Sequence, residues 1–130
     1  MAHVLIVEDE PDVLLLLENR MRGAGHEVQS VTDGEQALEA VAQRQPVVII
    51  LDWMMPKLDG LQVCEHIRTT DTEHRIKILM LTAKSQQHDI DRAYAAGADD
   101  YIVKPFSSRD LVTRVAALAG DDATPVADAR

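Results

Sequence analysis

The sequence predicts an α/β fold, a doubly wound parallel sheet, and three observations point to it. Four short apolar runs, at residues 4 to 7, 47 to 51, 76 to 81 and 101 to 103, are continuous rather than alternating, as expected of strands covered on both faces. Segments of helix length separate them, so strand and helix alternate along the chain. The strong polar residues fall directly after the runs, at the carboxyl ends where such sheets collect their chemistry.

Each element has its own signal. The first strand, 4 to 7, is followed by a helix over 11 to 23, which opens on Pro11, suited to a first turn, and stops at Gly23-Ala24-Gly25. A second strand over 26 to 31 is less uniformly apolar and is expected at an edge. Asp33 caps a helix over 33 to 45, which halts before Pro46 because the residue before proline disfavours the helical region. After the third strand, Asp59 caps a helix over about 60 to 70. The fourth strand leads to a helix over 87 to 96, closed by Gly97. After the fifth strand, Ser107 with Asp110 three residues on resembles a capping box, in its Asp form, for a helix reaching about 119. Five strand-helix pairs with right-handed crossovers give a doubly wound (βα)5 sheet. Residues 120 to 130 lack periodicity and read as a flexible tail or linker, leaving one domain over 1 to 119 with no repeat.

Composition narrows the functional classes. The chain has 130 residues, 46% of them apolar, enough for one buried core. No apolar run approaches the roughly 20 residues that span a membrane, so no membrane association is expected. Met1-Ala2-His3 leads straight into the first strand without a basic region, so no signal peptide is expected. Cys64 is the sole cysteine and suits a reducing, cytoplasmic location. A net charge of -9 repels the phosphate backbone, which argues against direct nucleic-acid binding and favours cations.

The strand ends carry the chemistry. Glu8, Asp9 and Glu10 follow the first strand, Asp52 the third, Thr82 the fourth and Lys104 the fifth. Three carboxylates, Glu8, Asp9 and Asp52, are costly together at a partly buried rim unless a cation intervenes. All-oxygen ligands with room for water suit Mg2+. Three carboxylates, one Mg2+ and Lys104 sum to zero formal charge. An acyl phosphate on one of the acids adds about one negative charge, which Lys104 and the metal can absorb. Asp52 is the nucleophile candidate for phosphoryl transfer. Thr82 can donate its hydroxyl to the phosphoryl group, and backbone N–H groups near Ala83 can add to it.

These residues resemble the response-regulator receiver family of two-component signal transduction. The chain carries Val-Glu-Asp-Glu at 7 to 10, Asp-Trp-Met-Met-Pro-Lys-Leu-Asp-Gly at 52 to 60 and Leu-Thr-Ala at 81 to 83. Gly-Ala-Asp-Asp-Tyr follows at 97 to 101 and Lys-Pro-Phe at 104 to 106. The order and spacing are the family's, over residues 3 to about 119. The resemblance implies a flavodoxin-like sheet of strand order 2-1-3-4-5, and it implies that Asp52 accepts phosphate from a histidine kinase or phosphotransfer protein. It implies that Asp9, Asp52 and the main-chain carbonyl of Met54 ligate Mg2+, with Glu8, where many members have Asp, acting through water. It further implies a cis peptide before Pro105 that turns Lys104 toward the phosphate. Thr82 and Tyr101 become a switch pair, the hydroxyl moving to the phosphoryl while the ring turns inward, which changes the face of the fourth helix, fifth strand and fifth helix. The members are not classical enzymes; they catalyse their own phosphorylation and dephosphorylation.

That face also resembles the subfamily with a winged-helix DNA-binding output domain. Arg92, Asp99, Asp100, Asp110 and Arg114 fall where its members make charged contacts across a symmetric, phosphorylation-dependent homodimer. Exposed ion pairs are weak and such charges are common on helices, so a solvated surface is the competing reading. Two organisations fit: a stand-alone relay or protein-binding regulator, and a receiver that belongs to a longer protein with an output domain.

Plainer roles are assigned elsewhere. Asp59 is read as a helix cap, and Glu10 and Asp12 as first-turn acids favoured by the helix dipole. Met54 and Met55 are read as packing residues, Cys64 as core, and the five histidines as solvated surface without paired metal spacing. Trp53 adjoins Asp52 and should report metal or a phosphoryl mimic by its fluorescence, and Lys84 can influence how water reaches the acyl phosphate. A flavin module would need a Ser/Thr/Gly-rich loop where Glu8-Asp9-Glu10-Pro11-Asp12 stands, and a dinucleotide enzyme a Gly-x-Gly-x-x-Gly turn. A dehalogenase-type phosphatase or Toprim nuclease would want a second acid at 54, which is Met. The rival reading is a Mg2+-dependent phosphatase of similar fold.

Overall fold

Residues 2–120 are described by a computed structural model; most of the tail predicted at 120 to 130 lies outside the described residues. The elements run β1 His3–Val7, α1 Pro11–Gly23, β2 Glu27–Val31, α2 Gly34–Gln43, β3 Val48–Asp52, α3 Gly60–Thr70, β4 Lys77–Thr82, α4 Gln87–Ala95, β5 Asp100–Val103 and α5 Ser108–Leu118. All strands are parallel, in the order β2-β1-β3-β4-β5. The predicted doubly wound sheet and its order are therefore the observed ones.

Alternation along each strand explains why the apolar runs are continuous. Leu5, Val7, Ile49, Leu51, Ile78 and Met80 pack on one face, with residues of α2, α3 and α4. Val4, Ile6, Val48, Ile50, Leu79 and Leu81 pack on the other, against α1 and α5. Both sets must be apolar, because a strand inside a doubly wound sheet has no solvent side. The edge strand β2 keeps part of its surface in water, consistent with its mixed composition.

Pairing aligns the strand ends. Val7 pairs with Leu51, Asp52 with Leu81, and Thr82 with Val103, so the residues that close β1, β3, β4 and β5 share one rim. Gly60 brings α3 close to it. A Cβ there would stand 2.5 Å from the Asp52 carbonyl oxygen and 2.7 Å from Trp53 Cα, and the Gly60 N–H donates to the Trp53 carbonyl at 2.8 Å.

Local expectations are mostly met, with instructive exceptions. Pro11 stands in the first turn of α1, and Asp33 accepts from Gln36 N–H at 2.8 Å. Asp59 does more than predicted: it accepts from Gln62 N–H while the Gln62 side chain accepts from Asp59 N–H, a complete capping box. The box expected at Ser107 is half formed. Ser107 accepts from Asp110 N–H at 3.1 Å, but the Asp110 carboxylate turns to Arg114 instead. Helix α2 stops at Gln43, short of the predicted 45, because Arg44 is extended and makes a forked ion pair with Glu27 on β2.

The solvated reading holds for His66, His74 and His88 and fails for His3 and His26, both buried. For His3 sheet coverage decides this: it begins β1, an interior strand buried along its whole length. Met54, read as a packing residue, is 60% exposed, whereas Met55 does pack on the core. Cys64 is fully buried, donates to the Ala96 carbonyl, and has its thiol pushed up by burial to about 12. Among the described residues, no helix is long and apolar enough to cross a membrane.

Candidate functional site

The rim gathers the acids that the sequence scatters over 44 positions. Glu8, just past β1, has no solvent exposure, Asp52 at the end of β3 is 3% exposed, and Asp9 is exposed. One carboxylate oxygen from each of the three lies within 4.8 Å of the others. Glu8 Oε2 accepts from Glu10 N–H at 3.1 Å, and Asp52 Oδ1 accepts weakly from Met54 N–H at 3.4 Å.

Lys104, past β5, brings the opposing charge. Its Nζ lies 3.3 Å from Glu8 Oε1, 3.5 Å from Asp52 Oδ1 and 3.9 Å from Glu10 Oε1. Its backbone N–H donates to the Thr82 carbonyl at 2.8 Å, and the Lys104–Pro105 peptide is cis.

One ammonium does not balance three acids. Burial, then the Asp52 charge, pushes the Glu8 carboxyl up to about 7, despite the Glu10 N–H and Lys104. Burial also raises Asp52, against the pull of Lys104. Burial alone would lower Lys104, but the Asp52 and Glu8 charges outweigh it and hold the ammonium above its ordinary value. A rim that raises its own carboxyls is poised for a further cation, and its all-oxygen donors suit a hard divalent ion with open positions.

Thr82, fully buried at the end of β4, accepts from Lys84 N–H at 3.1 Å, which leaves its hydroxyl proton available to an acceptor above the rim. Tyr101 is 7% exposed, and its hydroxyl donates to the Lys84 carbonyl, so the ring is already turned inward. Lys84 thus joins the two residues of the expected switch pair.

The five residues of the expected dimer face do not form one free surface. Arg114 pairs with Asp100 at 2.7 Å and Asp110 at 3.1 Å. Asp99 points toward α3, where it takes Arg68 at 2.7 Å, His74 at 2.6 Å and Ile78 N–H at 2.8 Å. Arg92 lies over the Trp53 ring, 5.6 Å from its centre.

Sequence reasoning missed Arg68. Its guanidinium also donates to Asp71, the Ile76 carbonyl and the Gly97 carbonyl, tying the end of α3 to β4 and to the turn before β5. The Arg68–Asp71 spacing on a helix end was a visible signal; Asp99, 31 positions away, was not.

The comparisons agree with the geometry. The family profile described as "Response regulator receiver domain" matches residues 4–116. The "Phosphate regulon transcriptional regulatory protein PhoB" of Rhizobium meliloti is 38% identical over 115 residues, 88% of this chain and 51% of the relative. The chain spans about half the length of the curated relatives it matches. A putative response regulator from Chloroflexus aurantiacus superposes with a TM-score of 0.86 at 37% identity, covering 92% of this chain and 98% of that one. The receiver domain of the sensor histidine kinase PA1611 from Pseudomonas aeruginosa superposes at 0.84 with 32% identity over 92% and 98%. That structure has a magnesium ion coordinated in its active-site cleft.

Proposed function

The chain belongs to the response-regulator receiver family, and from that premise we propose that Asp52 is its phosphoacceptor. The observation that carries this reading is the buried Asp52 carboxylate with Glu8, Asp9 and Lys104 around it. Asp9, Asp52 and the Met54 carbonyl would hold Mg2+, with Glu8 acting through water. The bound ion supplies charge neutralisation for the phosphoryl oxygens.

In the proposed reaction an Asp52 oxygen attacks phosphorus in line. The bond from phosphorus to the donor's histidine nitrogen breaks, and the electron pair stays with the departing imidazole. Lys104 and the Thr82 hydroxyl donate to the phosphoryl oxygens, so catalysis is positioning and charge neutralisation. A histidine kinase or phosphotransfer protein is the donor, and the chain acts on itself rather than turning over a free substrate. A Mg2+-dependent phosphatase is not favoured, because Met rather than a second acid stands at position 54.

The switched face is the surface of α4, β5 and α5, read by an output domain or partner protein in the cytoplasm. A phosphorylation-dependent homodimer belongs to the same reading. It requires Asp100, Asp110 and Arg114 to exchange their own pairings for those of a second copy, which sedimentation with and without beryllofluoride tests. The central test is labelling from acetyl phosphate with Mg2+. Asp52→Asn should abolish it, and undiminished labelling would overturn the assignment.

A further inference from the structure

Trp53 follows the proposed phosphoacceptor directly and is 3% exposed. Two cations from the next crossover cover its ring: Lys84 Nζ, from the β4–α4 loop, at 5.3 Å from the centre, and the Arg92 guanidinium, from α4, at 5.6 Å. The backbone of Trp53 is tied to β4 and α3, since its main-chain N–H donates to the Leu81 carbonyl at 3.1 Å and its carbonyl accepts from Gly60 N–H, and its side chain packs in the core cluster between the sheet and α3. The ring is thus rigid with the sheet, and the cations belong to the segment that would move.

The connection continues past the ring. Arg92 Nη1 is 3.9 Å from Asp89, a buried acid of the first turn of α4, which also faces His88 at 3.5 Å. Asp89 lies close enough to Tyr101 to help hold its phenol above the ordinary value, after burial. Lys84, besides covering Trp53, receives the Tyr101 hydroxyl on its carbonyl and gives its N–H to Thr82. Two lines of contact therefore run from Trp53 to the start of α4, one through Arg92 to Asp89 and one through Lys84 to Tyr101 and Thr82.

We propose that Lys84 and Arg92 are positioning residues that latch the β4–α4 loop and α4 onto Trp53, so that a charge gained at Asp52 reaches α4 through this cation–aromatic contact. The inference rests on the phosphoacceptor reading of Asp52. Arg92 has part of its side chain in water, so each contact shifts the ratio of latched to released α4 by about two- to fivefold, the range for exposed cations over a ring. An added negative charge beside the indole pulls on both cations at once. Because they sit on α4 and its leading loop, that element answers first. Arg92 on this account serves its own chain, whereas the sequence placed it between two copies.

The test is amide hydrogen exchange of residues 87 to 95, with and without beryllofluoride and Mg2+, while 19F resonances report the mimic bound at Asp52. In the parent chain the mimic should change exchange across α4. Arg92→Gln should bind the mimic yet lose most of that change, and Arg92→Lys, which keeps a cation, should restore it. Lys84→Gln should weaken the response about as much. A full α4 response in Arg92→Gln would overturn the latch, and so would equal loss in Arg92→Lys. Failure of the parent chain to bind beryllofluoride would instead overturn the reading of Asp52, and the latch with it. If Arg92→Gln does not fold, Trp53→Phe and Trp53→Leu carry the comparison: the first should keep the response, the second lose it, and equal behaviour would overturn the proposal.

Discussion

Lys104 Nζ stands 3.5 Å from Asp52 Oδ1, although their strands, β5 and β3, are separated in the sheet by β4. The same ammonium also serves Glu8 at 3.3 Å. One cation shared between two buried acids leaves excess negative charge on the rim, and the first prediction follows from it.

Removing that charge should stabilise the chain in EDTA. Asn at position 52 keeps the shape and can donate to Glu8, so Asp52→Asn should gain about 1 kcal/mol, or about 3–5 °C in melting temperature. Mg2+ should raise the parent by about 2.7 kcal/mol at 100 times its dissociation constant and the variant far less. Thermal melts with and without metal check both halves; a variant that melts lower than the parent in EDTA would sink the charge argument.

Gly60→Ala should be costly despite better helix propensity. The added Cβ meets backbone, the Asp52 carbonyl at 2.5 Å and Trp53 Cα at 2.7 Å, and backbone cannot step aside as a flexible side chain could. Overpacking costs about 1–3 kcal/mol, more than the ~1 kcal/mol that alanine gains over glycine in a helix. Urea titration should show a net loss, with Trp53 emission altered at zero denaturant.

Asp71 sets an acid limit. Burial alone would raise its carboxyl, but N–H donors of Ile76 and Arg75 and the Arg68 charge outweigh it, so the folded value lies below the ordinary 3.8. A lowered carboxyl contributes stability above pH 3.8 that disappears as pH falls through the folded value. Asp71→Asn should cost about 1–3 kcal/mol at pH 7, and the gap should narrow progressively as pH falls below 3.8. Paired denaturation curves at pH 7 and pH 2.5 measure it; a gap that persists in acid would count against a charge origin.

His3 should be replaceable with profit. Both ring nitrogens are buried without a hydrogen-bond partner, and a buried unpaired polar group costs about 1–3 kcal/mol. His3→Leu should raise the melting temperature, and a loss on substitution would mean that the imidazole has a partner.

Fold and site were legible to different depths. The continuous runs through Val7, Leu51 and Leu81 gave the parallel sheet, because burial on both faces leaves no room for polar alternation. Pro11, Asp33 and Asp59 marked helix starts through backbone chemistry that spans only three or four residues. Asp52, Thr82 and Lys104 stood out because each follows a strand. Met54, His3 and His26 were misread, since exposure depends on which neighbour covers a position, and residue type does not encode that.

The sequence by itself determined the α/β class, the doubly wound sheet and the residues of the acidic rim, all carried by local periodicity and by what ends each strand. Only the tertiary structure decided that Arg92 lies on Trp53, that Asp99 turns to Arg68, and that Tyr101 reaches the Lys84 carbonyl. The reason is physical: these contacts join positions 17 to 39 residues apart, and which acceptor or ring a long side chain meets is fixed by the packing of crossovers, after the strands have aligned.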